Sequence, residues 1–451
     1  MQSTAPVRLI DAATYPFAAR MDSANNYRVA MFRTRSTICG VVFALLMVNA
    51  CTESLPPGAW RFQNVDGSGG IATNAEPTRQ WSGSVTTVTF RGMPHYFGVD
   101  KAAGSLLHTW MRDGNWRVEI LDAGNAAAVT GPLAAVSNDD QILVIGVVQR
   151  SANIQGLTTW TYSDGGGWAS TISDPNVSPR TPSIIRIPIV AAVGPAADPV
   201  VYAQVQLGYP TGPAELAAVS VADVGTGQQS NRWFSGLVDT TSGIPIPANR
   251  VRSGFGLAVA QRSSTTWVYY ADANSGDLFA DRPDDAAPPQ IVDGDGIGSH
   301  LAEEMSTETS SIIDTTGQPH AFYVARPSGV LRHAWLTANG WISETLDGVS
   351  GGERSDSETI GALASALIDG KPHVFYGTRL RGTSGPSDIL RHAWWDGSRW
   401  RIENFDGFIG ANGQRDSNVP TSAPAVTVIG GRPFVGYSTS ETGALRIADW
   451  R

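Results

Sequence analysis

Short segments in which apolar and polar residues alternate make up most of the chain after residue 59. Each segment is five to eight residues long, is rich in Val, Thr, Ile, Tyr and Trp, and ends at Gly, Asp, Ser or Pro. Alternation with a period of two is typical of a β-strand with one buried face, and the flanking residues are typical of tight turns. The pattern therefore predicts an all-β protein.

One motif, a Trp followed six positions later by an Asp, recurs along this part of the chain. The Trp residues are Trp60, Trp116, Trp168, Trp233, Trp341 and Trp400. The Asp residues are Asp66, Asp122, Asp174, Asp239, Asp347 and Asp406, and a seventh copy keeps Asp293 but not the Trp. The simplest interpretation is structural, with the indole rings filling the space between sheets and the aspartates accepting backbone N–H groups in turns.

Seven copies, spaced by 52 to 65 residues, predict a seven-bladed β-propeller of four-stranded antiparallel blades. The expected blades are 85–124, 131–176, 183–241, 252–295, 308–349, 359–408, and a last one that joins 421–451 to 59–67. The last unit ends without a fourth strand, and the strand 60–65 has no partner nearby in the sequence. We expect this N-terminal strand to complete the C-terminal blade, because closure of the ring removes free sheet edges.

The first 58 residues have the layout of an export signal. Arg33 and Arg35 precede an eleven-residue apolar run, Ile38–Val48, which is too short for a stable membrane span. The following Asn49-Ala50-Cys51 resembles a bacterial lipobox, and this resemblance implies cleavage before Cys51 and attachment of lipid to it. An ordinary signal peptide with a chance cysteine is the alternative.

The domain organisation follows from this layout. We expect an untranslated or disordered extension at 1–30, a lipoprotein signal peptide at 31–50, a tether at 51–58 and the propeller at 59–451. The protein is then an exported, membrane-anchored lipoprotein of the bacterial cell envelope. Both cysteines, Cys39 and Cys51, belong to the leader and the anchor, so no disulfide, metal or redox chemistry can depend on cysteine in the propeller.

Six of the seven histidines form three pairs, on the predicted second and third strands of three blades. The pairs are His95 and His108, His320 and His333, and His373 and His392. We expect the two members of a pair to lie directly opposite each other, with Trp110, Trp335 or Trp394 on the same face of the sheet. Three interpretations remain open: a packed structural interface, a sugar-binding pocket with the Trp as platform, or a metal site.

Arginines mark the opposite face of the third strands. They are Arg332, Arg391 and Arg446. We expect Arg332 and Arg391 to pair across strands with Glu344 and Glu403, either as rim salt bridges or as binding groups. Arg446 is expected to face Gln63.

Two stretches of the sequence resemble a known repeat. The strings GKPHVFY with ILRHAWWDGSRWRIENFDG, and GQPHAFY with VLRHAWLTANGWISETLDG, resemble the repeat of PLL-type bacterial seven-bladed propeller lectins and, more distantly, of the fungal fucose-specific lectins. The resemblance implies non-catalytic sugar binding in shallow pockets between blades. The Arg and Glu of the fungal pockets are replaced here by the paired histidines, so fucose specificity does not carry over.

Composition narrows the function further. The net charge is −9, the only lysines are Lys101 and Lys371, and no basic cluster is present, which argues against nucleic-acid binding. We expect a monomer without cofactor or metal that binds a glycan or an envelope protein and meets the membrane through the lipid on Cys51. The alternatives to a lectin are a protein-interaction scaffold and a sialidase-like glycoside hydrolase, for which Arg186-Ile187-Pro188 is the one short match. We do not expect the protein to be an enzyme.

Overall fold

The computed structural model describes residues 59–121, 128–151, 154–173, 185–194, 200–207, 214–220, 253–272, 275–283, 285, 287–300, 302–348, 357–380, 389–407, 423–439 and 442–451. Their regular secondary structure is entirely β, as the alternating pattern predicts. None of them forms a helix that is long and apolar enough to cross a membrane.

The strands form antiparallel sheets, numbered here along the chain. Strand β1 is Trp60–Asp66. Sheet 1 contains β2 (Trp81–Phe90), β3 (Met93–Asp100), β4 (Leu106–Arg112) and β5 (Asn115–Ile120). Sheet 2 contains β6 (Ala128–Ser137), β7 (Gln141–Ser151), β8 (Ile154–Ser163) and β9 (Gly167–Ser173). The described part of sheet 3 contains β10 (Ile185–Val193), β11 (Val200–Leu207) and β12 (Ala214–Ser220).

The remaining sheets repeat this arrangement. Sheet 4 contains β13 (Ser253–Arg262), β14 (Thr265–Asp272), β15 (Leu278–Asp281) and β16 (Gln290–Asp293). Sheet 5 contains β17 (Glu304–Ile313), β18 (Pro319–Arg326), β19 (Val330–Thr337) and β20 (Gly340–Asp347). Sheet 6 contains β21 (Ser357–Ile368), β22 (Lys371–Leu380), β23 (Ile389–Trp395) and β24 (Trp400–Gly407). Sheet 7 contains β25 (Ala425–Ile429), β26 (Arg432–Ser438), β27 (Leu445–Trp450) and, as its fourth strand, β1.

The N-terminal strand β1 pairs with β27, near the C-terminus, as predicted. The pairing is antiparallel, joins Trp60 to Trp450, and has an irregular register between Asn64 and Asp66. Backbone hydrogen bonds between Ala59 and Arg451 extend it by one step. Both ends of the described chain are therefore held in one sheet.

The first strand of each sheet contacts the first strands of its two neighbours. Strand β2 contacts β6, and β6 contacts β10. The series continues in the same way through β13, β17, β21 and β25, and β25 contacts β2. The sheets thus follow one another in a cyclic order, with their first strands innermost. The apolar core lies between neighbouring sheets: Phe322 and Leu331 of sheet 5, for example, share a buried cluster with Leu363 and Tyr376 of sheet 6.

The first strands of sheets 1, 2, 5 and 6 begin earlier than the sequence pattern indicated. Strand β2 begins at Trp81 instead of 85, and its register with β3 shifts between Ser82 and Thr86. The first strands of sheets 2 to 6 also contain register shifts. A bulge inserts an extra residue and breaks the period of two, so alternation alone underestimates these strands.

Candidate binding sites

In sheets 1, 5 and 6 the histidine of the second strand lies opposite a tryptophan, not opposite the other histidine. His95 is the register partner of Trp110, and His108 is the partner of Phe97. The registers of sheets 5 and 6 are equivalent. The predicted direct pairing of the histidines is therefore wrong, because the midpoint of each hairpin lies one residue beyond the midpoint between its two histidines.

The two histidines of each sheet nevertheless contact each other along a diagonal. Nδ1 of the second-strand residue lies 2.9 Å from Nε2 of its partner in sheet 1, and 2.8 Å in sheets 5 and 6. We call His95, His320 and His373 the outer histidines. We call His108, His333 and His392 the inner histidines.

A glutamate on the fourth strand accepts a hydrogen bond from each inner histidine. Nδ1 of the inner histidine lies 2.8 Å from Oε1 of Glu119 in sheet 1, and 2.9 Å from Oε1 of Glu344 and Glu403 in sheets 5 and 6. These glutamates are the direct partners of the inner histidines in the strand register. The expected pairing of Glu344 and Glu403 with arginine is therefore wrong.

The same carboxylate oxygen also accepts the indole N–H of a tryptophan from the next sheet. Trp168 of sheet 2 donates to Glu119 at 2.9 Å, and Trp400 of sheet 6 donates to Glu344 at 2.7 Å. Trp60, on the closing strand β1, donates to Glu403 at 3.2 Å. We call each set of two histidines, glutamate and tryptophan a His–His–Glu–Trp network. Each network connects two neighbouring sheets.

From the sequence, we named Glu344 and Glu403 but assigned them to arginine, and we did not name Glu119. Each lies three residues after a repeated Trp, and this occurs in the three units that carry histidine pairs. The corresponding position is Gln63 in the closing strand, Thr171 in sheet 2 and Gln290 in sheet 4. Because the glutamate and the histidine pair occur together, they form one functional unit.

Burial lowers the pKa of all six paired histidines. The pKa of His95 and that of His373 fall to about 3, and that of His320 falls to about 4, with the adjacent inner histidine as a further cause. For the inner histidines, burial outweighs the hydrogen bond to glutamate, which acts to raise the pKa. The imidazoles are therefore neutral near pH 7.

The carboxylates of Glu119 and Glu344 remain ionised. Burial acts to raise the pKa of Glu119 and of Glu344, but the hydrogen bond from the inner histidine, the attraction to it and the hydrogen bond from the tryptophan outweigh burial. The net effect places the pKa of both carboxyl groups below its usual value. Each is a carboxylate that accepts two N–H groups.

Each inner histidine lies between two aromatic rings. The His108 ring stacks on Phe97 and on Trp110, with centroids 4.7 and 4.6 Å away and interplanar angles of 8° and 11°. Trp168 of the next sheet contacts it edge-on at 5.2 Å. Sheets 5 and 6 repeat both arrangements. The inner histidines are at most 5% exposed, so a ligand outside the protein does not reach them.

The tryptophans of the third strands are the accessible members of these stacks. Trp110, Trp335 and Trp394 are half-buried. In the strand register each has an outer histidine on one side and a fourth-strand residue on the other: Arg117, Ile342 or Arg401. We call each group of outer histidine, tryptophan and fourth-strand residue a Trp site.

The arginines of the third strands bind aspartates of the preceding sheet. Nε of Arg332 donates to Asp293 at 2.9 Å, and a terminal nitrogen of Arg391 donates to Asp347 at 2.7 Å. Nε of Arg446 lies 2.9 Å from Asp406. The hydroxyl groups of Tyr323, Tyr376 and Tyr437 donate to the same three aspartates.

These Arg–Asp–Tyr clusters are buried and do not form a ligand surface. Arg332 is 3% exposed and Arg391 is fully buried. Arg446 lies opposite Asn64 and donates to its side-chain oxygen at 3.1 Å, so the expected contact with Gln63 is wrong by one residue, the same offset that places Arg332 opposite Thr345 instead of Glu344. Arginine on this face therefore joins sheets.

The repeated aspartates also accept backbone N–H groups where the chain turns. Asp293 and Asp406 accept from the glycine that follows each of them, at 2.9 and 2.8 Å. Asp66 accepts the backbone N–H of Glu76 at 3.0 Å, and it also accepts from the Trp81 indole at 2.8 Å and from Arg79 at 3.0 Å. Cys51, Asp122, Asp174, Trp233 and Asp239 lie outside the described residues.

Within the described ranges, no cluster of three or more His, Cys, Asp or Glu side chains has the geometry to hold a metal ion. The seventh histidine, His300, is 2.7 Å from Asp295 through its Nδ1 atom and belongs to the loop after sheet 4.

Comparisons with known proteins gave matches among solved structures. No family model matches the chain, and no curated protein does. A fucose-specific lectin from Aleuria aurantia, described as a six-bladed β-propeller, is 16% identical over 72% of this chain and 96% of the lectin, with a TM-score of 0.41. A Penicillium chrysogenum α-L-arabinanase is 10% identical over 71% of this chain and 94% of the enzyme, with a TM-score of 0.44. A Trypanosoma rangeli sialidase is 11% identical over 86% of this chain and 57% of the sialidase, with a TM-score of 0.43.

Proposed function

We propose that the seven sheets are the blades of one closed seven-bladed β-propeller. The cyclic contacts of the first strands and the pairing of β1 with β27 support this arrangement. With β1 as its fourth strand, sheet 7 has the same number of strands as sheets 1, 2, 4, 5 and 6, and the edge of β27 is paired. The blade between sheets 2 and 4 would take its fourth strand from residues 233–239, which lie outside the described residues.

We propose that this propeller is a non-catalytic carbohydrate-binding protein, and that the Trp sites bind the sugar. The observation that carries the proposal is the repetition, in three blades, of a half-buried tryptophan stacked on a buried histidine. The stack fixes the orientation of the indole ring before any ligand arrives. A rigid aromatic face with polar groups beside it suits a sugar, which has apolar C–H faces and hydroxyl edges.

The structure narrows the candidate binding residues. The inner histidines, the third-strand arginines, His95 and His320 are buried, so the candidate ligand contacts are Trp110, Trp335, Trp394 and the half-buried His373. Three Trp sites favour a multivalent lectin, since a retaining or inverting glycosidase needs a single site with two carboxyl groups. The resemblance of the repeat to PLL-type lectins points to the same class.

We also propose that the protein is a monomer anchored to the cell envelope through lipid on Cys51. The lipobox-like sequence before Cys51 supports the anchor, and the glycan would then lie in the envelope or outside the cell. The anchor lies outside the described residues, and this part of the proposal rests on the sequence alone.

A glycan array probed with the full-length chain tests the binding function. We expect binding that decreases with each of Trp110→Ala, Trp335→Ala and Trp394→Ala and disappears in the triple variant. Trp395→Ala is the matched control, because Trp395 is adjacent on the same strand but packs against Trp400 on the other face. Equal loss in the control, or no binding to any glycan alongside capture of an envelope protein, would contradict the lectin and favour a scaffold.

A further inference from the structure

The His–His–Glu–Trp networks determine where the protons lie. An indole nitrogen can only donate a hydrogen bond, so Oε1 of Glu344 must accept from Trp400. The same ionised oxygen then also accepts from His333, whose Nδ1 must carry a proton. The proton positions at Glu119 and Glu403 are determined in the same way by the indole N–H groups of Trp168 and Trp60.

The proton order continues to the outer histidine. A neutral imidazole carries one N–H, so an inner histidine that donates through Nδ1 has a bare Nε2. This Nε2 accepts from Nδ1 of the outer histidine, 2.8 to 2.9 Å away in all three sheets. The outer histidine has then used its single proton, and its own Nε2 carries only a lone pair.

We propose that His373 presents Nε2 as a hydrogen-bond acceptor beside Trp394, so that the Trp site of sheet 6 takes a neutral ligand that donates a hydroxyl group, such as a non-acidic sugar. This inference rests on the proposed carbohydrate-binding function and specifies its ligand. A carboxylate, sulfate or phosphate oxygen facing Nε2 would oppose the lone pair.

The surroundings of the outer histidines agree with this assignment. The Nε2 atoms of His95 and His320 are enclosed, so a ligand outside the protein does not reach them. His373 is half-buried, which makes the sheet 6 site the most accessible of the three. The low pKa of each outer histidine keeps Nε2 unprotonated at neutral pH.

The charged groups near the Trp site of sheet 6 do not reverse this preference. In sheet 6, Arg401 donates to Asp396 at 2.6 Å and is neutralised. Lys371, whose positive charge also acts to lower the pKa of His373, donates from Nζ to the backbone oxygen of Asp396 at 3.0 Å. In sheet 5, the Asp314 carboxylate lies 3.6 Å from Nε2 of His320 and opposes a lone pair there, so that site is not equivalent to the one in sheet 6.

Nitrogen NMR of the full-length chain, labelled with ¹⁵N at histidine, tests the proton order directly. The chain has seven histidines, and single His→Phe variants assign the signals. At pH 7 we expect Nδ1 protonated and Nε2 unprotonated in His373, the outer histidine of the proposed site. A protonated Nε2 in His373 would overturn the inference, while sugar binding on the array would still uphold the proposed function.

Ligand analogues test the acceptor role at the sheet 6 site. A variant with Trp110→Ala and Trp335→Ala retains only that site, and the probes are a neutral methyl glycoside that binds on the array and its deoxyfluoro analogues. We expect one fluorinated position to weaken binding at least tenfold, since fluorine cannot donate. That loss should vanish when His373→Phe is added, because the acceptor is gone.

We expect the His373→Phe variant to fold. Sheet 7 carries Phe434 at the position equivalent to His373, so this strand position tolerates the aromatic ring. A fluorine penalty that persists in His373→Phe, or preferential binding of methyl glucuronide or a sulfated glycoside over the neutral one, would overturn the inferred ligand class. Absence of binding by every glycoside would overturn both this class and the proposed function, while the NMR result would still report the proton order.

Discussion

Trp400 donates its indole N–H to Oε1 of Glu344, which lies 56 residues earlier in the chain and in the preceding sheet. The same oxygen accepts from His333, so a single carboxylate oxygen joins a hairpin of sheet 5 to the outer strand of sheet 6. The contact is only partly buried, but the groups it satisfies, an indole N–H and an imidazole N–H, lie in the aromatic layer between sheets.

Removal of the Glu344 carboxylate should destabilise the protein. Glu344→Leu leaves two enclosed N–H groups without acceptors, which costs about 1–3 kcal/mol each. We expect a lower denaturation midpoint in urea, monitored by tryptophan fluorescence. Glu344→Gln is the control, since its side-chain oxygen accepts both hydrogen bonds, and it should lie close to the unmodified protein. If the two variants were equally destabilised, charge and not the acceptor oxygen would be the important property.

Stability should decrease on acidification because of the histidine pairs. The pKa of His95 and that of His373 are about 3 in the folded protein and that of His320 is about 4, where the ordinary value is 6.5. Between the folded and the unfolded pKa values, the unfolded chain binds more protons than the folded one. The contribution of these histidines to stability is therefore fully present above pH 6.5 and is lost as the pH decreases towards 4 and 3. Thermal unfolding at several pH values measures this dependence.

A double variant isolates the contribution of one pair. His373→Phe with His392→Ile introduces the residues that sheet 7 has at these positions, Phe434 and Ile447. The decrease in melting temperature between pH 7 and pH 4.5 should become smaller in this variant. A decrease of unchanged size would show that the acid sensitivity comes from carboxylates elsewhere.

Much of the fold could be predicted from the sequence because hydrophobic alternation and the repeat report local strands and their number. The pairing of Trp60–Asp66 with the C-terminal strand followed from counting strands in the last unit. The extent of the first strands could not be predicted from the sequence, since bulges such as the one between Ser82 and Thr86 interrupt the period of two.

The site was only partly predictable, because its hydrogen bonds depend on register and on neighbouring sheets. The sequence brought His320, His333 and Trp335 to one face, but a register difference of two residues moved the direct partner of His320 from His333 to Trp335. The donor to Glu344 comes from another unit, at Trp400, and no pattern within one repeat contains that contact.

Asp347 should be among the most sensitive polar positions. It is 1% exposed and accepts from Arg391, which is fully buried, and from Tyr376 of the same neighbouring sheet. Asp347→Ala leaves a buried guanidinium without its counter-ion, and we expect a loss of about 3–5 kcal/mol in the free energy of unfolding. Asp164→Ala is the control: it removes the exposed pair with Arg91 and should leave the midpoint unchanged. Similar midpoints for both variants would contradict a structural role for the cluster.

Lipid attachment at Cys51 is testable in cells. Expression in a bacterial host with an alkyne-labelled fatty acid should label the chain and place it in the membrane fraction. Cys51→Ser should abolish the label, and the chain should then be found either released from the membrane or as an unprocessed precursor. Cys39→Ser, within the apolar signal, should leave labelling intact. Labelling that survives in Cys51→Ser would show that the lipobox-like sequence is not used.

Truncation at the N-terminus tests the closing strand. Deletion of residues 1–58 leaves β1 and its contacts in place, and we expect an unchanged melting temperature. Deletion of residues 1–67 removes β1, exposes the edge of β27 from Leu445 to Trp450, and removes the Trp60 N–H from Glu403. An unpaired edge favours association with other chains, so this second variant should unfold at lower temperature and aggregate in light scattering. If both truncated chains were equally stable and monodisperse, β1 would not be a structural part of sheet 7, and the closed ring would be excluded.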